Sequence, residues 1–99
     1  MPKVLFTISY GVKPEARDAY LQHVTSLREH LRTVAKKDYT LYEAKGKKGQ
    51  FMEVFVSESM DDFDALEDNL DPETESMIAK VEEFVDDKGM KYSTMVEVA

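Results

Sequence analysis

The residues able to do chemistry in this chain are few. It has two histidines, His23 and His30, five tyrosines, and neither cysteine nor tryptophan. Imidazole is the side chain that ordinarily titrates near neutrality. His23, with Tyr20 about one helical turn away, is therefore a candidate general acid or base. A plainer role for His23 is that of a boundary residue reaching water from the edge of an apolar stripe. The two histidines are seven residues apart, roughly 10.5 Å along a helix and too far for one metal ion. Glu53 is the third catalytic candidate. It stands between Phe51 and Phe55 on one side of an alternating run. A carboxyl held between phenyl rings with little water should titrate above the ordinary value of about 4.3. In that state it could donate to a ligand carbonyl or carry a proton, whereas a cationic partner or open water would leave it ionised. Tyr10, Tyr39, Tyr42 and Tyr92 lie in or at the ends of apparent strands, where aromatics usually pack. One or two of their hydroxyls turned into a cavity would suit a phenol or quinone.

Other chemistries are excluded or unsupported. Without cysteine there are no disulfides, thiolate metal sites or cysteine nucleophiles, and a reducing, cytoplasmic setting is expected. The acids between Asp61 and Asp71 lack the spacing of a calcium loop. No phosphate loop, nucleophile elbow or dinucleotide fingerprint is present. The net charge of −7 argues against nucleic acid and anionic membranes as partners. No run of 18 apolar residues and no signal peptide is evident. Residues 58–87 carry thirteen acids and one base, against seven acids and twelve bases elsewhere. Such a block reads first as a solvated helical face.

Ninety-nine residues suffice for one core, and a single domain over 1–99 is expected. Val4 to Tyr10 alternates as a strand, with Val4, Phe6, Ile8 and Tyr10 on one side. Pro14 opens a helix whose stripe is Ala16, Tyr20, Val24, Leu27, Leu31 and Val34. Tyr39–Lys45 and Phe51–Ser57 form a hairpin across Gly46-Lys47-Lys48-Gly49. A helical segment opening at Ser57 or Ser59 carries Met60, Phe63, Leu66 and Leu70. A third helix, after Asp71-Pro72, carries Met77, Ile78, Val81, Phe84 and Val85 and is closed by Gly89. Tyr92–Val98 is the last strand. The order β-α-β-β-α(α)-β predicts an α+β, ferredoxin-like fold with a four-stranded antiparallel sheet.

Both helical layers would cover one sheet face. Alternation assigns Met52, Val54 and Val56 to that covered face, with Val4, Phe6, Ile8, Thr94, Val96 and Val98. The other face then holds Leu5, Thr7, Ser9, Phe51, Glu53, Phe55, Ser93, Met95 and Glu97, too apolar to be bare. A second copy covering it would make a homodimer.

These features resemble the dimeric α/β-barrel group, and within it the antibiotic-biosynthesis-monooxygenase-like domains. The resemblance rests on Val12-Lys13-Pro14-Glu15 leading into a helix with Tyr20, and on Glu53-Val54-Phe55-Val56-Ser57-Glu58-Ser59-Met60 leading into an acidic helix. It implies a homodimeric barrel, with a cavity between sheet and helices in each subunit. It also implies a cofactor-free monooxygenase-like enzyme acting on a small aromatic or polyketide-like molecule, with no metal or cofactor. His23, Glu53 and Tyr20 are then the catalytic candidates, and Thr7, Ser9, Phe51 and Phe55 the ligand contacts. The haem-degrading branch uses an Asn, a Trp and a His. This chain has no Trp, Asn69 as its only Asn, and no His beyond His30, so haem degradation is not expected. A non-catalytic binding or regulatory module is a second reading. Tyr20 and His23 also resemble the Tyr and His of small mutarotases, which gives an isomerase as a third.

Overall fold

The computed structural model describes residues 2–65 and 71–98. Strand β1 (Val4–Val12) leads through a 3-10 turn at Pro14–Ala16 into helix α1 (Arg17–Thr33). Strands β2 (Asp38–Glu43) and β3 (Gln50–Ser57) form the hairpin. Helix α2 (Met60–Asp64) and helix α3 (Pro72–Lys80) follow, then a 3-10 turn at Val81–Phe84 and strand β4 (Val85–Val96). The sheet order is β2-β3-β1-β4, all neighbours antiparallel. The fold is the expected ferredoxin-like α+β arrangement, in which each β-α-β unit receives a strand of the other between its own two.

The helix boundaries follow local chemistry. Pro14 presets the first turn before α1. The Ser59 hydroxyl accepts from the Asp62 amide at 3.2 Å and caps α2. Asp71 Oδ1 accepts from the Thr74 amide at 2.7 Å and caps α3, with Pro72 next to it. Lys36 takes the left-handed conformation, φ 57°, that turns the chain from α1 towards β2. Arg17 and Glu43 pair at 2.8 Å, and Glu43 also accepts from the Gly49 amide, so one carboxylate ties the hairpin to the start of α1.

The core lies between α1 and the sheet. Tyr20, Val24, Leu27 and Leu31 are buried, as the helical stripe requires. Val34, expected in that stripe, caps the helix end and is 59% exposed. Leu66 and Leu70, expected to continue the α2 stripe, lie outside the described residues. Gly89 does not close α3, which ends at Lys80. It belongs to β4, with φ 80°, where the β1 pairing slips between Tyr10–Met90 and Val12–Val85. Those extra residues form a bulge, and glycine serves its left-handed turn.

The larger correction concerns β3. Phe6 pairs with Phe55, Ile8 with Glu53 and Tyr10 with Phe51. Directly paired residues share a sheet face. Phe51, Glu53 and Phe55 therefore face the helices, and Met52, Val54 and Val56 join Leu5, Thr7 and Ser9 on the open face. Both sides of β3 are apolar enough for a core, so alternation alone does not choose between them. Two phenyl rings bury more surface than methionine and valine, and the carboxyl between them finds a donor inside. Leu5 and Met95 keep their predicted place on the open face, opposite each other.

The register has a direct test in urea unfolding. Phe51→Ala should cost about 3–5 kcal/mol, because its ring is 4% exposed. Met52→Ala, 40% exposed, should cost less than about 1 kcal/mol. The opposite ranking would restore the alternation-based assignment.

Candidate functional site

Between the sheet and the second helical layer lies a half-open cleft of about 490 Å³. Phe6, Ile8 and Phe55 form its sheet side, with Tyr92 and Met90 of β4. Leu31 and Ile78 come from α1 and α3, and Phe63 from α2. Lys37, Asp64 and Glu82 add charge to an otherwise apolar lining. Glu53 lines it as well and is 4% exposed. Each sheet contributor is there because its strand alternates onto the helix-covered face.

Glu53 is the polar centre. The Tyr39 hydroxyl donates to its Oε1 at 2.7 Å, and Tyr39 is itself fully buried. The two stand on adjacent strands, since Tyr39 pairs with Phe55 and Leu41 with Glu53. Behind them the Tyr10 and Tyr20 hydroxyls share a hydrogen bond of 2.7 Å, with rings at right angles. Burial raises Glu53 above the ordinary carboxylate range, while bonding from Tyr39 and Tyr10 and the nearby His23 imidazole pull it back. Burial, and then the charge of Glu53, hold the Tyr10 and Tyr39 phenols well above their usual range. Burial does the same for Tyr20, against the hydrogen bond from Tyr10. At neutral pH the three phenols are neutral donors, and Glu53 is the group able to exchange a proton with something in the cleft.

The other candidates are placed differently. Tyr20 is fully buried and bonded to Tyr10, and it does not line the cleft. His23 Nε2 donates to the Met77 carbonyl at 2.7 Å and its ring lies 5.8 Å from Phe84. It ties α1 to α3 and is likewise absent from the lining. His30 makes the matching tie, Nε2 to Thr74 Oγ1 at 2.6 Å. Phe55 lines the cleft. Phe51 packs beneath it at 4.6 Å from the Tyr20 ring. Thr7 and Ser9 lie on the open sheet face, behind the cleft. Of the predicted site residues, the structure thus brings Glu53 and Phe55 together in the cleft. It adds Phe6 and Phe63, and Tyr92, one of the strand tyrosines considered for a cavity; Tyr39, another of them, bonds Glu53 without lining the cleft. The strand alternation of β1 and β4 already held the signal for Phe6 and Tyr92. That the Tyr39 hydroxyl meets Glu53 follows only from the β2–β3 register.

Among the described residues, no group of three His, Asp or Glu side chains is placed to hold a metal ion. No helix among them is long and apolar enough to cross a membrane.

Solved structures share this fold across nearly the whole chain. A conserved protein from Methanosarcina mazei Go1 superposes with a TM-score of 0.79 at 16% identity, covering 96% of this chain and 92% of its own. A variant of SnoaB, a cofactor-independent oxygenase from Streptomyces nogalater, gives 0.72 at 12% identity, covering 94% and 90%. An antibiotic biosynthesis monooxygenase gives 0.68 at 18% identity, covering 100% and 98%. The chain therefore has the ferredoxin-like fold of the antibiotic-biosynthesis-monooxygenase-like proteins. No family model matches the sequence, and no curated protein sequence matches it.

A Glu53 carboxyl raised by burial binds a proton more tightly folded than unfolded. Its stabilising contribution is present below the ordinary value of about 4.3 and is lost as pH rises through the raised one. Carbon-detected NMR should give a Glu53 midpoint above that ordinary value. Glu53→Gln should remove this group's share of the fall in stability over the same window. Tyr39→Phe, which takes a donor from the carboxylate, should push the midpoint higher still and cost about 1–3 kcal/mol. A midpoint at the ordinary value would remove Glu53 from any proton-transfer role.

Proposed function

We propose that the protein is a cytoplasmic homodimer of single-domain protomers, each binding a small aromatic molecule in the cleft as a cofactor-free monooxygenase-like enzyme. The observation that carries this reading is Glu53, a buried carboxyl held by Tyr39 at the polar centre of an aromatic cleft. The fold likeness to a cofactor-independent oxygenase agrees with it. In this reading Glu53 takes the proton of an acidic O–H or C–H of the ligand. The electron-rich anion then reacts directly with dioxygen. Two hydrogens leave the ligand, the one taken by Glu53 and one from the ring carbon that is oxidised; one oxygen atom becomes a carbonyl on that carbon, and the other leaves with the two hydrogens as water.

The second reading, a non-catalytic binding module, is favoured by one feature. Among the described residues Glu53 is the one ionisable side chain that is both buried and in the cleft lining, while Tyr20 and His23 are engaged elsewhere. For the same reason the isomerase reading draws no support from the geometry.

Dimerisation is proposed from the open sheet face. Leu5, Met52 and Met95 are 37%, 40% and 61% exposed there, flanked by half-buried Val54 and Val56. Packing a second sheet on this face would remove it from water.

Two measurements test the reading. Light scattering at micromolar concentration should give a dimer, and Met95→Glu should shift it towards monomer by burying a charge at the contact. A monomeric parent protein would refute the assembly. Oxygen uptake with hydroxylated aromatics, in the presence of chelator, should fall at least about 100-fold in Glu53→Gln if Glu53 is the base. Binding without oxygen uptake across the panel would leave the binding module.

A further inference from the structure

We infer that the cleft takes an organic cation: a small aromatic or cyclic molecule carrying a protonated or quaternary amine. This rests on the proposed use of the cleft as a ligand site and names the chemical class of the ligand.

Two independent features of the lining point the same way. The first is aromatic. Phe6 is the centre of a wall of rings, 6.2 Å from Phe55, 6.0 Å from Phe63 and 6.2 Å from Tyr92, measured between centroids. All four line the cleft. Aromatic rings lining a site attract a cation through their quadrupoles, most strongly where water is excluded. The second is charge. Three carboxylates line the cleft, Glu53 inside and the exposed Asp64 and Glu82 near solvent, against one cation, Lys37. The helical wall that carries Asp64 and Glu82 belongs to the 58–87 segment, with thirteen acids and one base. A cleft with apolar walls and a net negative lining focuses a negative field on its interior. An anionic ligand would meet three carboxylates, and a neutral one would make no use of the outer pair.

Glu53 gives the idea a proton-linked signature. An ammonium beside it favours the carboxylate, against the burial that favours the protonated form. Affinity should therefore rise with pH through the Glu53 midpoint. The groups facing Glu53 are Tyr39 from β2, Tyr10 from β1 and Tyr20 and His23 from α1. Lys37, Asp64 and Glu82 stand farther out in the cleft. The buried phenols stay neutral through this range. His23→Gln, which keeps a donor for the Met77 carbonyl, should preserve the Glu53-linked step, and Glu53→Gln should flatten it.

The experiment is calorimetric titration of the full chain with three probes of similar shape: phenethylamine, 2-phenylethanol and phenylacetate. At pH 7.5 the amine should bind at least about 10-fold tighter than the alcohol, with phenylacetate weakest. Glu53→Gln should remove most of that preference. Tyr92→Leu and Glu82→Gln, at exposed positions that do not hold the fold, should each reduce it about 2- to 5-fold. Equal binding of amine and alcohol would overturn the cation inference and leave the ligand cleft standing. Binding of none of the three would overturn both. An amine preference unchanged in all three variants would place the cation elsewhere and overturn the inference.

Discussion

A carboxyl group placed between a sheet and a helix loses most of its hydration, and its surroundings must compensate. Around Glu53 they do so in two ways. Tyr39 donates a hydrogen bond from the neighbouring strand. The Tyr10–Tyr20 pair supplies further polar groups from β1 and α1. The desolvation left over raises the Glu53 carboxyl above the ordinary carboxylate range. Each device requires a particular register: β2 against β3 for Tyr39, β1 against β3 for Tyr10, and the seating of α1 for Tyr20. The position of one acid thus depends on three elements at once.

Seen this way, the tyrosines and the phenylalanines have separate jobs. The tyrosines at 10, 20 and 39 are interior scaffolding for a charge, buried and bonded to one another or to Glu53. The rings at 6, 55 and 63 are the lining, with Tyr92 at the more exposed end. The histidines belong to neither group. Both reach from α1 to α3 and take up polar groups near the start and middle of that helix. They keep in place the wall that carries Ile78 and leads to Glu82.

The architecture was legible because its signals are local and repeated. Alternation in β1, the stripe Tyr20–Val24–Leu27–Leu31, the glycine-flanked hairpin, the cap at Ser59 and the break at Asp71-Pro72 each report on neighbours in sequence. The faces of β3 were not legible. Met52, Val54 and Val56 make the more hydrophobic set, and only pairing with β1 shows that the set containing a glutamate is the one inside. The same long-range fact hid Tyr39 as a partner. Glu53 was found by its composition, between two phenylalanines, although the reason offered for its burial was a second subunit and not the protein's own helices. His23 and Tyr20 were drawn together by helical spacing. Spacing cannot show that one bonds a strand tyrosine and the other a backbone carbonyl of α3.

The strand order also leaves β2 and β4 with their outer edges unpaired within the protomer. Unpaired edges are templates on which another chain can add strands without limit. Here both are blunted. β2 is six residues long and has acids at its two ends, Asp38 and Glu43. β4 is long, but its first half is interrupted by the bulge and bears Asp86, Asp87 and Lys88, with Lys91 beyond. A sheet with an apolar face is an aggregation hazard if it can also be extended sideways. Charge and irregularity at the margins make both edges poor templates for a further strand.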